Sequence, residues 1–432
     1  MSEVITVIEH KSVPIVRSPV GGQNELGEKH AALLEKLEKK LPAKAWSWEN
    51  RKIKFASYCG VISLGDLSIE ILPKIHDIEA DDVESSRKAL VHMLYRARHL
   101  KLSRAGTAGI NLQKRFLLDI FILHFCEQLH AQLTRGMIQK YVRRKENLNV
   151  LRGKLKIGEH LKRNLAHGER LFCQYDELSA DNIYNQVLKH VLGIMLKKAK
   201  GNRALQHVSE LLARFEPVSD FPADAATAVD SLGFNRLTER YEEIFNQCGF
   251  FLRGLYPDVT TGKEDCLALL FDMNRLFEAY VGAELRKDKE TREKNMSLRE
   301  QRPQKYFATR EDSDKSVFMM RPDFSFLNKS GDPVVIADAK WKILDSAEQK
   351  LGIAQSDMYQ IGSYASRYGV RNLVLFYPMQ EKLTEPIKLT LLKEHEAVPT
   401  TLRVLPIDIS GKRQNEFSLW NENREPSLQG RA

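Results

Sequence analysis

Cysteine is scarce in this sequence and unpaired in pattern. Cys59, Cys126, Cys173, Cys248 and Cys266 are scattered, odd in number and free of any CxxC pair. That argues for a reducing, cytoplasmic setting and against a structural zinc site. The twelve histidines show no HExxH or other metal-ligand spacing. No apolar run reaches the roughly 18 residues of a membrane span, and the first ten residues lack the charged-then-apolar order of a secretory leader. Internal repeats and low-complexity tracts are absent. A phosphate-cradling loop is also missing. The nearest stretch is Thr261-Gly262-Lys263-Glu264, where Pro257 replaces the first glycine and Glu264 the Mg²⁺-holding hydroxyl. Gly153-Lys154-Leu155 and Gly411-Lys412-Arg413 match no better. The chain is expected to hydrolyse no nucleotide by itself.

What is present bounds the fold. At 432 residues with 43% hydrophobic residues, two or three domains with substantial cores are expected. Mean hydropathy of −0.38 is that of a soluble protein. A net charge of +9 favours a polyanionic partner. The pattern predicts an α+β multidomain chain. Residues 1–78 read as a β-rich N-terminal extension, with a strand over 4–16, a charged helix over 25–41, short strands over 53–75 and an acidic loop at 77–82. Residues 79–248 read as a mostly helical, partner-binding domain. Its predicted helices cover 83–98, 112–133 (too apolar for a free surface helix), a long stretch after Ser179 as cap, 205–215 and 237–247. Residues 249–432 read as an α/β domain.

Within the middle domain, residues 137–165 are strongly basic. Lys140, Arg143, Arg144, Lys145, Arg152, Lys154, Lys156, Lys162 and Arg163 face only Glu146 and Glu159. Short strands at 141–142 and 155–157 around a turn at 146–149 predict a basic hairpin or projecting finger. Arg143, Arg144, Lys145, Arg152 and Lys154 are its candidate contacts to DNA or to a partner. A solvated basic loop is the bland alternative, and an acidic protein channel would attract the segment as well as nucleic acid does.

The most informative stretches lie near residue 330. They are Arg321-Pro322-Asp323-Phe324-Ser325-Phe326 and Val334-Val335-Ile336-Ala337-Asp338-Ala339-Lys340-Trp341. The second is β-branched and apolar up to Ala337, which predicts a buried strand. Strand side chains alternate, so Asp338 and Lys340 share a face. Asp323 follows residues 317–320, a second predicted strand, and Gly331-Asp332-Pro333 supplies a turn. The hairpin so formed places Asp323 beside Asp338, and a divalent cation would resolve the repulsion of the two carboxylates. Pro-Asp and Asp-x-Lys are each common by chance. Paired on consecutive strands, they match the PD-(D/E)xK pattern of metal-dependent nucleases, which implies a restriction-endonuclease-like fold for residues 249–432. Asp323 and Asp338 would ligate Mg²⁺, with Mn²⁺ as a substitute, and Lys340 would orient or activate the attacking water. A helix over 272–287 offers Glu278 as a further acid, or as an ordinary surface glutamate. A helix over 351–368 offers Tyr359-Gln360, of which Gln360 is the candidate fourth element or a polar rim position. Residues 372–377 predict another strand, stopped by Pro378.

Taken in order, three stretches resemble the McrC family, the nuclease subunits of McrBC modification-dependent restriction systems. They are Arg135-Gly136 through Tyr141, Glu146 and Leu151-Arg152-Gly153-Lys154-Leu155; Tyr175-Asp176-Glu177 with Asp181 and Asn185; and Arg321-Pro322-Asp323 with Asp338-Ala339-Lys340 and Tyr359-Gln360. The resemblance implies a partner, a hexameric AAA+ GTPase of the McrB type that binds GTP and reads modified double-stranded DNA. It also implies that the amino-terminal part of this chain enters the ring and stimulates hydrolysis, while the carboxy-terminal domain cuts, with Asp323, Asp338 and Lys340 at the family's catalytic positions. The function expected is a Mg²⁺-dependent DNA endonuclease for phage defence, active with its partner. The alternatives are a stand-alone nuclease of the same core fold in DNA repair, and a non-cleaving activator of a ring NTPase.

Overall fold

A computed structural model describes residues 3–17, 19, 24–41, 45–75, 83–97, 116–165, 168–221, 224–257, 265–288, 293–344, 350–392, 399–415, 417 and 419. The chain is mixed α/β and divides into two compact units, each built from separate stretches. The first comprises residues 1–3, 61–68 and 104–269, the second residues 4–60, 69–103 and 270–432. Among the described residues no helix is long and apolar enough to cross a membrane. The expected acidic loop at 77–82, the phosphate-loop-like stretch at 261–264 and residues 112–115 of an expected helix lie outside the described residues.

In the first unit the helix Leu117–Leu133 is buried on nearly every side, as its composition demands. Its buried Asp119 accepts backbone hydrogen bonds from Lys200 and Gly201, both 2.9 Å, at the start of the helix Asn202–Arg214. The basic segment follows as β1 (Lys140–Leu148), β2 (Lys154–Leu155) and α1 (Ile157–Asn164). It does not close into the expected hairpin. Both strands pair instead with β3 (Leu171–Ser179), giving the order β1-β3-β2. The reason is physical. β3 offers nine residues of ladder and the opposite charge, whereas β2 offers two residues. Arg143 faces Asp176 in the register, with Nε 3.5 Å from Oδ1, and Arg144 Nε lies 3.6 Å from Glu177 Oε2.

Gly153 is required where β2 meets β3. Its φ is +66°, and a Cβ there would stand 2.4 Å from Gln174 O. This close passage lays the Arg152 guanidinium over the Tyr175 ring at 4.1 Å, and the Tyr175 hydroxyl donates to Glu146 Oε2 at 2.9 Å.

The long helix α2 (Ile183–Lys198) is capped by Asn182, which accepts from Asn185 N at 3.4 Å, and not by Ser179. Ser179 stands too early and accepts from Asp181 N instead. Beyond it, the helix expected at 237–247 becomes a 3-10 turn, Glu239–Tyr241, followed by the helix Glu242–Arg253, within which Gly249 lies.

In the second unit the expected strand over 4–16 breaks at His10, which adopts φ +67°, into Glu3–Ile8 and Ser12–Val16. Ser12–Val16 joins a sheet with Leu26–Gly27, Lys52–Phe55 and Trp46–Glu49. The carboxy-terminal stretch forms α3 (Met273–Leu285), β4 (Ser297–Glu300), β5 (Lys305–Thr309), β6 (Ser316–Met320), β7 (Phe324–Leu327), β8 (Pro333–Ala339), α4 (Gln355–Tyr368), β9 (Asn372–Pro378), β10 (Ile387–Leu391) and β11 (Thr400–Ile407). Six of these strands make one sheet in the order β4-β7-β8-β9-β11-β10. β8, β9 and β11 are parallel, and α4 supplies the crossover from β8 to β9.

One face of this sheet, with Ile336, Leu373, Leu375, Tyr377, Leu402 and Val404, packs on Ile361, Tyr364, Ala365 and Tyr368 of α4. On the other, Phe324 stacks edge-on to Phe376 and meets Gly282 of α3, where a Cβ would come to 3.1 Å from the ring. The strand at 317–320, expected to pair with β8, does not. It lies in β6, which pairs with β5 in a separate two-stranded ribbon. The partner of β8 is β7, which follows Asp323. Phe324 and Phe326 are buried at alternate positions, while Phe318 and Met319 of β6 are exposed, so only β7 has a face to give the core.

Asn185 tests the architecture of the first unit. Its buried Nδ2 donates to Ile138 O at 2.8 Å and to Ala180 O at 2.7 Å, tying α2 to the entry of β1. Asn185→Ala removes both bonds but leaves Ile138 O and Ala180 O their bonds from Asn182, and is expected to cost about 1 kcal/mol, read as a lower melting temperature. Asn185→Asp is expected to fail as a rescue, because a carboxylate cannot donate.

Candidate active site

β8 carries the central acid. Asp338 is 2% exposed and points to the α4 side of the sheet, like Ile336 two residues before it. The ladder between β7 and β8 pairs Phe324 with Ala337, so the next step brings Asp323 opposite Asp338. The two carboxyls are within hydrogen-bonding reach of each other. Ala339 N donates to Asp323 Oδ2 at 2.8 Å, which fixes one acid to the strand that carries the other.

Lys340 follows the end of β8 and is held there by donation of its N–H to Phe376 O at 2.9 Å. Its ammonium pairs with Asp338 Oδ2 and donates to Gln360 Oε1 at 2.9 Å. Gln360 Nε2 donates to the Tyr364 hydroxyl at 3.1 Å, and that hydroxyl donates to Arg321 O at 3.2 Å. The chain of contacts thus returns to the backbone two residues before Asp323. Of the residues singled out in the sequence, Asp323, Asp338, Lys340 and Gln360 are brought together.

Glu278 lies on α3, half-buried, and accepts from Gln301 Nε2 at 2.8 Å. Gln301 also donates its N–H to Asp323 O at 2.8 Å and adopts φ +53°. Glu278 is close enough to raise the Asp323 pKa. Arg143, Arg144, Lys145 and Lys154 lie on the β1-β3-β2 sheet of the other unit, and Arg152 on the stretch that leads into β2.

Electrostatics set the character of the site. Burial, then the charges of Asp338 and Glu278, push Asp323 up to about 8 against the pull of the Ala339 N–H and Lys340. Burial likewise raises Asp338, opposed mainly by Lys340. Burial works against the Lys340 ammonium, but Asp338, Asp357 and Asp323 together hold its pKa above the ordinary lysine value. Two buried carboxyls this close cannot both ionise comfortably unless a cation joins them.

Sequence reading missed several supporting residues. Asp357, buried in the first turn of α4, accepts from Lys342 Nζ at 2.7 and 3.0 Å and from the Tyr377 hydroxyl at 3.3 Å. Lys342 stands two residues after Lys340, a spacing that could have marked it. Trp341 donates its indole N–H to Glu9 Oε1 at 2.9 Å and packs on Phe277. Neither Gln301 nor Glu9 carries a local sequence signal, since each acts on a residue distant along the chain.

The donor set fits a hard divalent cation. Asp323 and Asp338 present carboxyl oxygens at one point, and the buried Asp338 Oδ2 already faces one cation, the Lys340 ammonium. Among the described residues no group of three or more His, Cys, Asp or Glu side chains forms a complete metal cage. Mg²⁺ needs none, because it takes one or two carboxylates and completes its shell with water and phosphate oxygens.

No curated protein matches the chain by sequence. The fold resembles a refined half-complex from a tetradecameric assembly of Thermococcus gammatolerans McrB AAA+ hexamers with bound McrC, at a TM-score of 0.73 and 19% identity, covering 94% of this chain and 96% of that one. It also resembles a chain of the Thermococcus gammatolerans McrBC complex, at a TM-score of 0.52 and 22% identity, covering 66% of this chain and 87% of that one. The family model described as McrBC 5-methylcytosine restriction system component matches residues 53–378, so the chain belongs to that family.

Proposed function

We propose that this protein is the McrC-type subunit of a McrBC-like restriction system, a Mg²⁺-dependent DNA endonuclease that works with a hexameric AAA+ GTPase of the McrB type. The observation that carries the reading is the convergence of Asp323, Asp338 and Lys340 at the junction of β7, β8 and β9. The family match and the likeness to McrB–McrC assemblies support the partner. GTP belongs to that partner in this reading.

Asp323 and Asp338 would hold the cation, with Mn²⁺ as a possible replacement for Mg²⁺. When bound, it would supply Lewis acidity toward the scissile phosphate and lower the pKa of water. Lys340, held between Asp338 and Gln360, places a fixed positive charge beside both acids, where it can orient the attacking water and steady developing negative charge. Gln360 positions that ammonium, and Gln301 holds Glu278 toward Asp323.

Asp323→Ala, Asp338→Ala or Lys340→Ala is expected to abolish Mg²⁺-dependent DNA cleavage, a loss of orders of magnitude in rate, while folding and partner association persist. Gln360→Ala is expected to lose less, because Lys340 keeps Asp338. Undiminished cutting by purified Asp338→Ala protein would rule out the assignment.

The raised carboxyl pKa predicts a pH signature. An acid whose pKa climbs from 3.8 unfolded to about 8 folded contributes stability below pH 4 that is lost as pH rises through about 8. Metal-free protein is therefore expected to lose melting temperature across that window. Asp323→Asn is expected to flatten the loss, and Mg²⁺ to reverse it by binding the ionised pair. A flat wild-type profile, unaffected by Mg²⁺, would contradict the coupled-acid site.

Reversal of Arg143, Arg144 and Lys145 to glutamate is expected to impair stimulation of the partner's GTP hydrolysis. The reversal places acids opposite Asp176 and beside Glu177. Measuring hydrolysis without DNA separates this from a DNA-binding role, which would leave that rate unchanged and flatten the salt dependence of DNA affinity.

A further inference from the structure

The ribbon formed by β5 and β6 has no place in the chemistry above, yet it leads directly into the site. β6 ends at Met320, and Asp323 follows three residues later. Its surface runs against ordinary folding logic. Phe318 is 75% exposed, Phe307 59%, Met319 50% and Tyr306 44%, on a two-stranded element. Large apolar side chains grouped in this way mark an interaction surface. Phe318 also adopts φ +57°, a conformation rare for a bulky residue and of the strained kind that persists at functional positions.

The ribbon is not a loose flap. Arg367 Nε donates to Tyr306 O at 2.7 Å, and the Tyr368 hydroxyl shares its one proton between Pro303 O at 2.6 Å and Met320 O at 3.0 Å. Lys305 Nζ sits 4.9 Å over the Tyr368 ring. Arg367 and Tyr368 close the same helix, α4, that positions Lys340 through Gln360. The rings are therefore carried at a fixed place relative to the two acids.

Charge selects the partner. At the base of the ribbon, next to the site, Arg299, Arg302, Lys305, Arg321 and Arg367 are all cationic, and Arg302 and Arg321 are exposed. The ribbon's own acids, Glu311, Asp312 and Asp314, are confined to the turn at the far end, where Arg310 binds Asp312, while Glu300 at the base is paired with Arg286. Cations near the scissile position with aromatic rings beyond them match a phosphate backbone with bases behind it. The major groove of duplex DNA, about 12 Å wide, admits a two-stranded ribbon.

We propose that the β5–β6 ribbon is a DNA-contacting arm that lays Phe307 and Phe318 against bases while Arg302 and Arg321 hold the adjoining phosphates. The inference rests on the nuclease reading for its substrate, but it is tested apart from cleavage. A fluorescent mixed-sequence DNA duplex is titrated with the full chain in EDTA, where no cutting intrudes.

Phe307→Ala and Phe318→Ala are each expected to weaken binding about tenfold, the scale of one lost base–aromatic contact, with the salt slope unchanged. Arg302→Ala and Arg321→Ala are expected to lower that slope by about one unit each. Melting temperatures of the phenylalanine variants are expected to match the wild type, because the rings are exposed; Phe318→Tyr, which keeps a ring, is expected to retain affinity.

Unchanged DNA affinity in both phenylalanine variants overturns the proposal. So does loss of assembly with the partner or a second copy at unchanged DNA affinity, which would make the ribbon a protein interface. Failure of the nuclease reading looks different. The wild-type chain with its partner would then leave DNA uncut with Mg²⁺ and GTP, while the ring variants still lost affinity.

Discussion

The second unit is organised around one unfavourable contact, the approach of two buried carboxyls, Asp323 and Asp338. Neither would be chosen for stability, since burial raises both pKa values and the charge of Asp338 raises Asp323 further. The fold holds them together by covalent and hydrogen-bonded constraint. The ladder of β7 on β8 fixes their separation, the Ala339 N–H ties Asp323 to the strand of its rival, and Lys340 offsets part of the charge. Remaining compensation has to come from outside the chain, as protons or as a cation. A site of this kind is poised for what binds it, and its pKa values record the imbalance.

The three central residues were legible because they lie on one strand and its approach. The apolar run Val334-Val335-Ile336-Ala337 marks a strand, whose two-residue period puts Asp338 and Lys340 on one face, and Pro322-Asp323 stands one turn away. The pairing itself was less legible. Residues 317–320 and 324–327 are both apolar, and only tertiary packing decides which one joins β8. β7 wins because Phe324 fits between Phe376 and Gly282 and Phe326 is buried as well, whereas β6 keeps its rings outside. The basic segment shows the same limit. Its charge is evident, but its strand partner is β3, chosen by ladder length and by Asp176 and Glu177, which a local reading of residues 137–165 does not include. Gln301 and Asp357 were illegible for a similar reason, since each earns its role through a partner 23 or 15 residues away.

Support for the site extends to the opposite end of the sequence. Glu9 is 1% exposed, and burial pushes its carboxyl up to about 7 despite the N–H groups of Lys74 and Trp341 that it accepts from. Trp341 is the neighbour of Lys340 and packs on Phe277 of α3, the helix that carries Glu278. A buried carboxyl is costly unless its partners are essential to the arrangement. Here those partners are the backbone that leaves the amino-terminal strands and the indole that brackets the lysine. Residues 4–60 and 270–432 share one compact unit, and this hydrogen bond is one reason they do. The position of Lys340 is therefore set by four anchors: Phe376 through its backbone, Asp338 and Gln360 through its ammonium, and Glu9 through the adjacent ring. A lysine fixed at these points can act as a preorganised charge, which a flexible surface lysine cannot.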